Sequence, residues 1–186
     1  MQGADRESRF DRIFSLHEER VRRFCLRRLP VSDVNDAVAD VFVVAWRRID
    51  EAPEPEGALP WLYGVARNVV ANQTRSRRRI GRLRARVAGL PATESPSAET
   101  IVVRQAGDDE VLQALGRLSS TDQELLRLKV WEDLSNTEIA EILKLSPNAV
   151  AVRLNRARNR LAVHLHMDTT KPAHRTTPVL HGEEAT

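Results

Sequence analysis

Apolar residues recur along this chain at spacings of three and four, the period of an α-helix. Phe10, Ile13, Phe14, His17, Val21, Phe24 and Cys25 predict one helix over about 8–28, which Pro30 stops. A second helix, capped by Ser32, runs to about Ile49 with Val34, Val38, Val41, Phe42, Ala45 and Ile49 as its core stripe. DEAPEPEGALP then breaks all periodicity with Pro53, Pro55, Gly57 and Pro60. A third helix follows from about Leu59 to Arg79, burying Leu62, Ala66 and Val69 or Val70.

The stretch Gly89–Gly107 is polar and interrupted by Pro and Gly, and reads as a linker whose one apolar spot is Ile101–Val103. A coil of that length averages roughly 25 Å end to end and reaches at most ~65 Å. Periodicity resumes near Asp108. Val111, Leu112, Leu115 and Leu118 fit a short helix, and Ser119-Ser120-Thr121 caps the next, which carries Leu125, Leu126 and Leu128. Ser135 with Glu138 has the spacing of a capping box. Ser146, followed by Pro147 at the first helical position, caps the last helix. No strand pattern and no internal repeat is visible, so the fold expected is all-α: two small helical domains joined by a flexible linker, the second with a helix-turn-helix. The tail from 168 to 186 is rich in Thr, Pro and His and is expected to be disordered.

Charge sharpens this picture. The net charge is only +3, but Gly57–Thr93 holds eight arginines and no acid, whereas Asp33–Glu56 is acidic. A local basic field of that size favours phosphate or another polyanion. The single cysteine, Cys25, lies on an apolar stripe, which suits packing and excludes an intrachain disulfide. MQGADRESRFDR lacks the apolar core of a signal peptide, and the longest apolar run, Val41–Trp46, is too short to cross a bilayer. A soluble cytoplasmic protein without membrane insertion is the expectation.

The last helix carries four arginines and no acid between Ser146 and Leu161. At about 100° per residue, Val150, Leu154, Ala157 and Leu161 fall on one side. Ala149, Arg153, Arg156 and Arg160 line a neighbouring face, and Asn148, Val152, Asn155 and Asn159 a third. A short helix, a tight turn and a basic helix make helix-turn-helix geometry, with small Ala140 at the crossing opposite Val150. Arg and Asn read base edges in the major groove, and Arg also binds phosphate. A merely solvated basic face is the plainer alternative; cap, turn, Ala140 and Val150 together argue against it. In the second helix Ala39, Val43 and Trp46 fall outside the core stripe, beside Asp36, Asp40 and Arg47. Small apolar groups ringed by acids suit docking of a basic partner. In the third helix, Trp61 and Tyr63 precede Arg67, Asn68, Asn72, Gln73 and the arginine cluster with Arg75, Arg77 and Arg78. That mixture suits unstacked bases and single-stranded backbone.

Three stretches in order, NDAVADVFVVAWRRID, WLYGVARNVVANQTR and LSSTDQELLRLKVWEDLSNTEIAEILKLSPNAVAVRLNRARNRL, resemble a bacterial RNA polymerase sigma factor of the extracytoplasmic-function type. The resemblance spans about Phe10–Arg79 and Asp108–Leu165. It implies a region 2 domain over 1–88, which docks on core polymerase and recognises and melts the minus-ten element. It also implies a linker over 89–107 and a region 4 domain over 108–167 for the minus-thirty-five element. The acidic helix would dock on the beta-prime clamp through Asn35, Ala39, Asp40 and Val43, with Asp36 and Trp46 beside them. Many members have Gln where this chain has Ala39. The loop Asp50–Pro60 matches the one that captures a flipped minus-ten base, and Trp61, Arg67, Asn68, Asn72, Arg75, Arg77 and Arg78 would hold the melted strand. Asn148, Ala149, Val152, Arg153, Asn155, Arg156 and Arg160 would face the minus-thirty-five element. Where the family often has Thr-Val-(Lys/Arg)-Ser-Arg, this chain has Ala149, Val150, Ala151, Val152 and Arg153, so two polar contacts are lost. Lys144 stands where Gly is common in the turn.

The partners implied are core RNA polymerase (beta-prime clamp and beta flap), promoter DNA and an anti-sigma factor, with no cofactor, metal or catalytic residue. A free-standing helix-turn-helix regulator would account for the last helix alone. An enzyme lacks support: there is no P-loop, HExxH or nucleophile elbow, and His164 and His166 diverge on a helix.

Overall fold

The structure, a computed structural model, describes residues 2–87 and 108–169. Among them are seven α-helices and no strand: α1 (Gln2–Leu26), α2 (Val31–Arg47), α3 (Leu59–Val87), α4 (Asp108–Gly116), α5 (Ser120–Val130), α6 (Asn136–Leu143) and α7 (Pro147–Thr169). The linker 89–107, with Ile101–Val103, and the tail beyond 169 lie outside the described residues.

The first three helices pack pairwise around one core. Ile13, Val21, Phe24 and Cys25 of α1 meet Val34, Ala37, Val38, Val41 and Ala45 of α2, and Leu62, Val65 and Ala66 of α3, all essentially buried. The predicted stripe of α2 is buried throughout, Ile49 included, although α2 itself stops at Arg47 and Ile49 begins a short 3-10 turn, Ile49–Glu51. Three expectations need correction. Ser32 does not cap α2: Pro30 occupies the cap position, and the Ser32 hydroxyl donates to Asp33 Oδ1 at 2.7 Å. α1 starts six residues before the predicted point, because Arg6 and Arg9 find partners on the loop after α2. α3 runs to Val87 rather than Arg79. Arg, Leu and Ala favour helix, and Ile80, Leu83 and Val87 extend it while remaining exposed.

The second unit is built on its caps. Ser119 accepts from the Asp122 amide, and Ser135 and Glu138 form both bonds of the capping box. Ser146 accepts from the Ala149 amide at 3.1 Å. Each satisfies an amide that the helix itself leaves open, worth roughly 1 kcal/mol. Lys144 closes α6 in the left-handed conformation, φ 54°, and the Leu145 amide returns to the Ala140 carbonyl at 2.9 Å. Ala114, Leu115, Leu125, Leu128, Ile139, Val150, Leu154 and Ala157 form the core, while Val111 of α4 is exposed.

The two units touch, which the helical pattern does not reveal. Arg28, just beyond α1, is buried beneath the turn after α5. Its Nη1 donates to Glu132 Oε1 at 2.9 Å, its Nε and Nη2 approach Glu124, and its guanidinium lies 3.5 Å over the Phe24 ring. Arg27 donates to Glu132 Oε2 at 3.0 Å and lies over Trp131. The side chains of Arg28 and Glu132 are 4% and 2% exposed, so this is a desolvated pair rather than a surface one.

Candidate nucleic-acid interface

α7 divides as its sequence predicts. Val150, Leu154 and Ala157 are buried and Leu161 half-buried, while Asn148, Val152, Arg153, Asn155, Arg156, Arg158 and Asn159 are exposed and Ala149 half-exposed. The left-handed turn at Lys144 sets α7 across α6, with Ala140 and Val150 both buried between the two helices. Arg153, Arg156, Arg160 and His164 share an open basin of about 580 Å³ with Arg117, Ser119 and Thr121 at the start of α5. Arg160 is committed inside it: Nη2 donates to Asp122 Oδ2 at 2.7 Å, and that carboxylate is only 11% exposed. The basin combines guanidinium groups with a helix start, chemistry that suits phosphate.

The second cluster lies on α3. Arg67, Asn68 and Arg75 line a crevice of about 330 Å³, faced by Ser120, Thr121 and Glu124 of α5 and Leu143 of α6. Arg75 donates to Asn72. Arg77 is turned toward α2, where it pairs with Asp33 at 3.1 Å, and Arg78 points to solvent. Trp61 is half-buried against the core. Tyr63, read from the sequence as a partner for bases, is not available to them: it is 3% exposed and stacks on Phe24 at 5.0 Å. Burial and the facing Glu132 carboxylate push its phenol up to about 12.

The outward face of α2 brings the third set together. Asn35, Asp36, Ala39, Asp40, Val43 and Trp46 are all exposed, three of them apolar, opposite the buried stripe. Asn35 accepts from Arg22 at 2.7 Å, and Asp40 accepts from Gln73 of α3 at 3.4 Å. Trp46 stands edge-on to Phe10 at 5.3 Å, within an aromatic row with Phe14 and Phe42. None of these carboxylates is spent inside a buried ion pair, so the face offers negative charge around an apolar centre.

Two family models match this chain: Sigma-70 region 2 over residues 13–80 and Sigma-70, region 4, over residues 108–161. The RNA polymerase sigma factor CnrH of Cupriavidus metallidurans is 31% identical over 152 residues, which cover 77% of this chain and 78% of CnrH. The chain belongs to the extracytoplasmic-function sigma factors of bacterial RNA polymerase. As a sigma factor it binds core polymerase and promoter DNA and directs promoter-specific initiation. It is also similar to the sigma factor NccH of Alcaligenes xylosoxydans xylosoxydans, 30% identical over 74% of this chain and 75% of NccH. SigW of Bacillus subtilis is 26% identical over 84% of this chain and 88% of SigW. Among solved structures, CnrH bound to the cytosolic domain of CnrY superposes with a TM-score of 0.58 at 27% identity, covering 86% of this chain and 88% of that one. The sigma factor RpoE bound to the anti-sigma factor NepR from Bartonella quintana gives 0.61 at 25% identity, over 86% and 98%. None of the described helices is long and apolar enough to cross a membrane.

Proposed function

We propose that this sigma factor attaches to the clamp of core polymerase through the exposed face of α2, with Asp36, Asp40, Val43 and Trp46 at its centre. The loop after α2 and the α3 face carrying Arg67, Asn68, Asn72 and Arg75 take the minus-ten element. The α7 face carrying Asn148, Ala149, Val152, Arg153, Asn155 and Arg156 takes the minus-thirty-five element, with Arg160 on the phosphate side. The observation that carries this reading over a free-standing helix-turn-helix regulator is the α2 face. A helix that buries Val34, Val38, Val41 and Ala45 still exposes Ala39, Val43 and Trp46 on the face that carries Asp36 and Asp40. A DNA-binding unit acting alone has no use for such a face, whereas a basic protein surface complements it. The protein works in the cytoplasm as an initiation factor and not as an enzyme. Its availability is set by an anti-sigma factor, as the solved complexes of CnrH and RpoE support by analogy.

Run-off transcription tests this reading. Core polymerase is incubated with fragments of the host genome, with and without the purified chain. Discrete new transcripts that need both proteins are expected. Sequence-specific binding by the chain alone, with no new transcript in the presence of core polymerase, would return the chain to the free-standing regulator.

A further inference from the structure

The connection between α2 and α3 has only short-range backbone bonds of its own, from the amides of Glu51, Ala52, Gly57 and Ala58 to the carbonyls three residues before them, the last a long one of 3.4 Å to Pro55. Ile49, Ala52, Pro55 and Ala58 turn inward at every third residue and are buried, in register with the 3-10 turns Ile49–Glu51 and Pro55–Gly57. Asp50, Glu51, Pro53, Glu54, Glu56 and Gly57 are exposed between them. Such a segment still needs partners for its carbonyls, and one face of α1 provides them. Arg9 Nη2 donates to the carbonyls of Ala52 at 2.5 Å and Pro53 at 3.2 Å. His17 is buried, and its Nε2 lies 2.6 Å from the Pro55 carbonyl. A carbonyl has no proton to give, so Nε2 carries one and is the donor. Further out on the same helix, Arg6 reaches Asp50 at 3.4 Å and Arg12 pairs with Glu56. Those two pairs are exposed and contribute little; the carbonyl tethers are the ones that define the path of the loop.

We propose that Arg9 and His17 are positioning residues for promoter recognition: by fixing the carbonyls of Ala52, Pro53 and Pro55 they set the shape in which the loop meets an unstacked minus-ten base. The inference rests on reading this loop as the base-capturing one. Telling one base from another by hydrogen bonds requires donors and acceptors held to about 0.5 Å. The exposed residues Pro53, Glu54 and Glu56 each sit at or beside a tethered carbonyl. The four inward apolar residues already attach the loop to the core. The tethers therefore fix its conformation more than its attachment, and losing them lowers discrimination before it lowers assembly.

The experiment uses holoenzyme rebuilt from the full chain and core polymerase, on promoters carrying each base in turn through the minus-ten element with the upstream element constant. Arg9→Ala and His17→Ala should flatten the preference at one position by about two- to tenfold, the value of one or two intramolecular hydrogen bonds. Affinity for core polymerase and dependence on the upstream element should not change. His17→Gln, whose amide nitrogen can donate to the same carbonyl, should recover part of the preference, which a purely packing role would not. Should His17→Ala fail to fold, Arg9→Ala carries the test, because its side chain is 31% exposed. A uniform fall across all promoters with unchanged ratios overturns the positioning role. Glu54→Ala and Pro53→Ala separate the two layers of the argument. If they shift base preference while the α1 variants do not, the loop reading stands and the tethers are irrelevant to it. If neither set shifts it, the loop is not the reader and the proposal falls with it.

Discussion

Glu132→Gln is the sharpest probe of how the two units are held together. Glu132 receives Arg28 at 2.9 Å and Arg27 at 3.0 Å, and its side chain is 2% exposed. Glutamine keeps the shape and one acceptor but removes the charge, so the only carboxylate left to the buried guanidinium of Arg28 is Glu124, at the longer distances of 3.3 and 3.4 Å. Removing one partner of a buried pair costs about 3–5 kcal/mol. Because an acceptor survives here, a value of about 2–4 kcal/mol is expected, in line with hydrogen bonds to charged groups. The helices of each unit make their own contacts, so the chain can escape this cost by parting the units and returning Arg28 to water. The equilibrium between closed and parted forms should then shift by roughly 30- to 1,000-fold toward the parted form. Small-angle scattering should show a larger radius of gyration, and Trp131, which lies between Arg27 and Arg127, should become accessible to iodide quenching. Glu18→Gln, which breaks only the partly exposed pair with Arg22 on α1, serves as control and should change neither readout, its cost staying below about 0.5 kcal/mol. A Glu132→Gln chain with unchanged scattering, unchanged quenching and the parent melting temperature would show that this pair does not hold the units together.

Three further outcomes follow from the same geometry. Asp40→Arg places a cation in the exposed α2 face; helix content should be preserved while affinity for core polymerase falls at least tenfold in a competition assay, and unchanged affinity would show that the docking face lies elsewhere. Arg153→Ala holoenzyme, assayed on promoters altered only in the upstream element, should lose about 1–3 kcal/mol at one base position; a uniform loss across the panel would make Arg153 a phosphate contact instead. Burial raises the Cys25 thiol from 9.0 to about 12 and the Tyr63 phenol from 10.0 to about 12, so the folded chain holds both protons more tightly than the unfolded one. Their contribution is complete below pH 9 and is lost as pH rises toward 12, by about 1.4 kcal/mol per pH unit for each group within its window. Denaturant midpoints measured from pH 8 to 11 should fall accordingly, and Cys25 should resist alkylation until the chain unfolds.

Helices, caps and the exposed faces were legible in the chain because they depend on neighbours within one or two turns. The 3,4 spacing that buries Val34, Val38, Val41 and Ala45 is the same arithmetic that leaves Asp36, Asp40 and Val43 outside. Ser119, Ser135 and Ser146 act on amides three residues away. The division of α7 into buried Val150, Leu154 and Ala157 and exposed Arg153 and Arg156 needed nothing more distant. Ser32 failed as a cap because α2 begins at Val31, which puts Pro30 at the cap position and Ser32 inside the first turn. Tertiary structure alone decided the rest, since those contacts join residues far apart in sequence. Arg9 and His17 hold a loop about 40 residues away, and the facing charges of Arg6, Arg9 and Arg12 against Asp50, Glu54 and Glu56 were the only hint of it. Arg28 and Glu132, 104 residues apart, look like ordinary surface charges until packing removes their water. Tyr63 has the composition of a base-stacking aromatic and the location of a core residue, because Phe24 and the turn bearing Glu132 close over it. Periodicity states which side of a helix is apolar; only the assembled chain determines what that side, and each charge beside it, will meet.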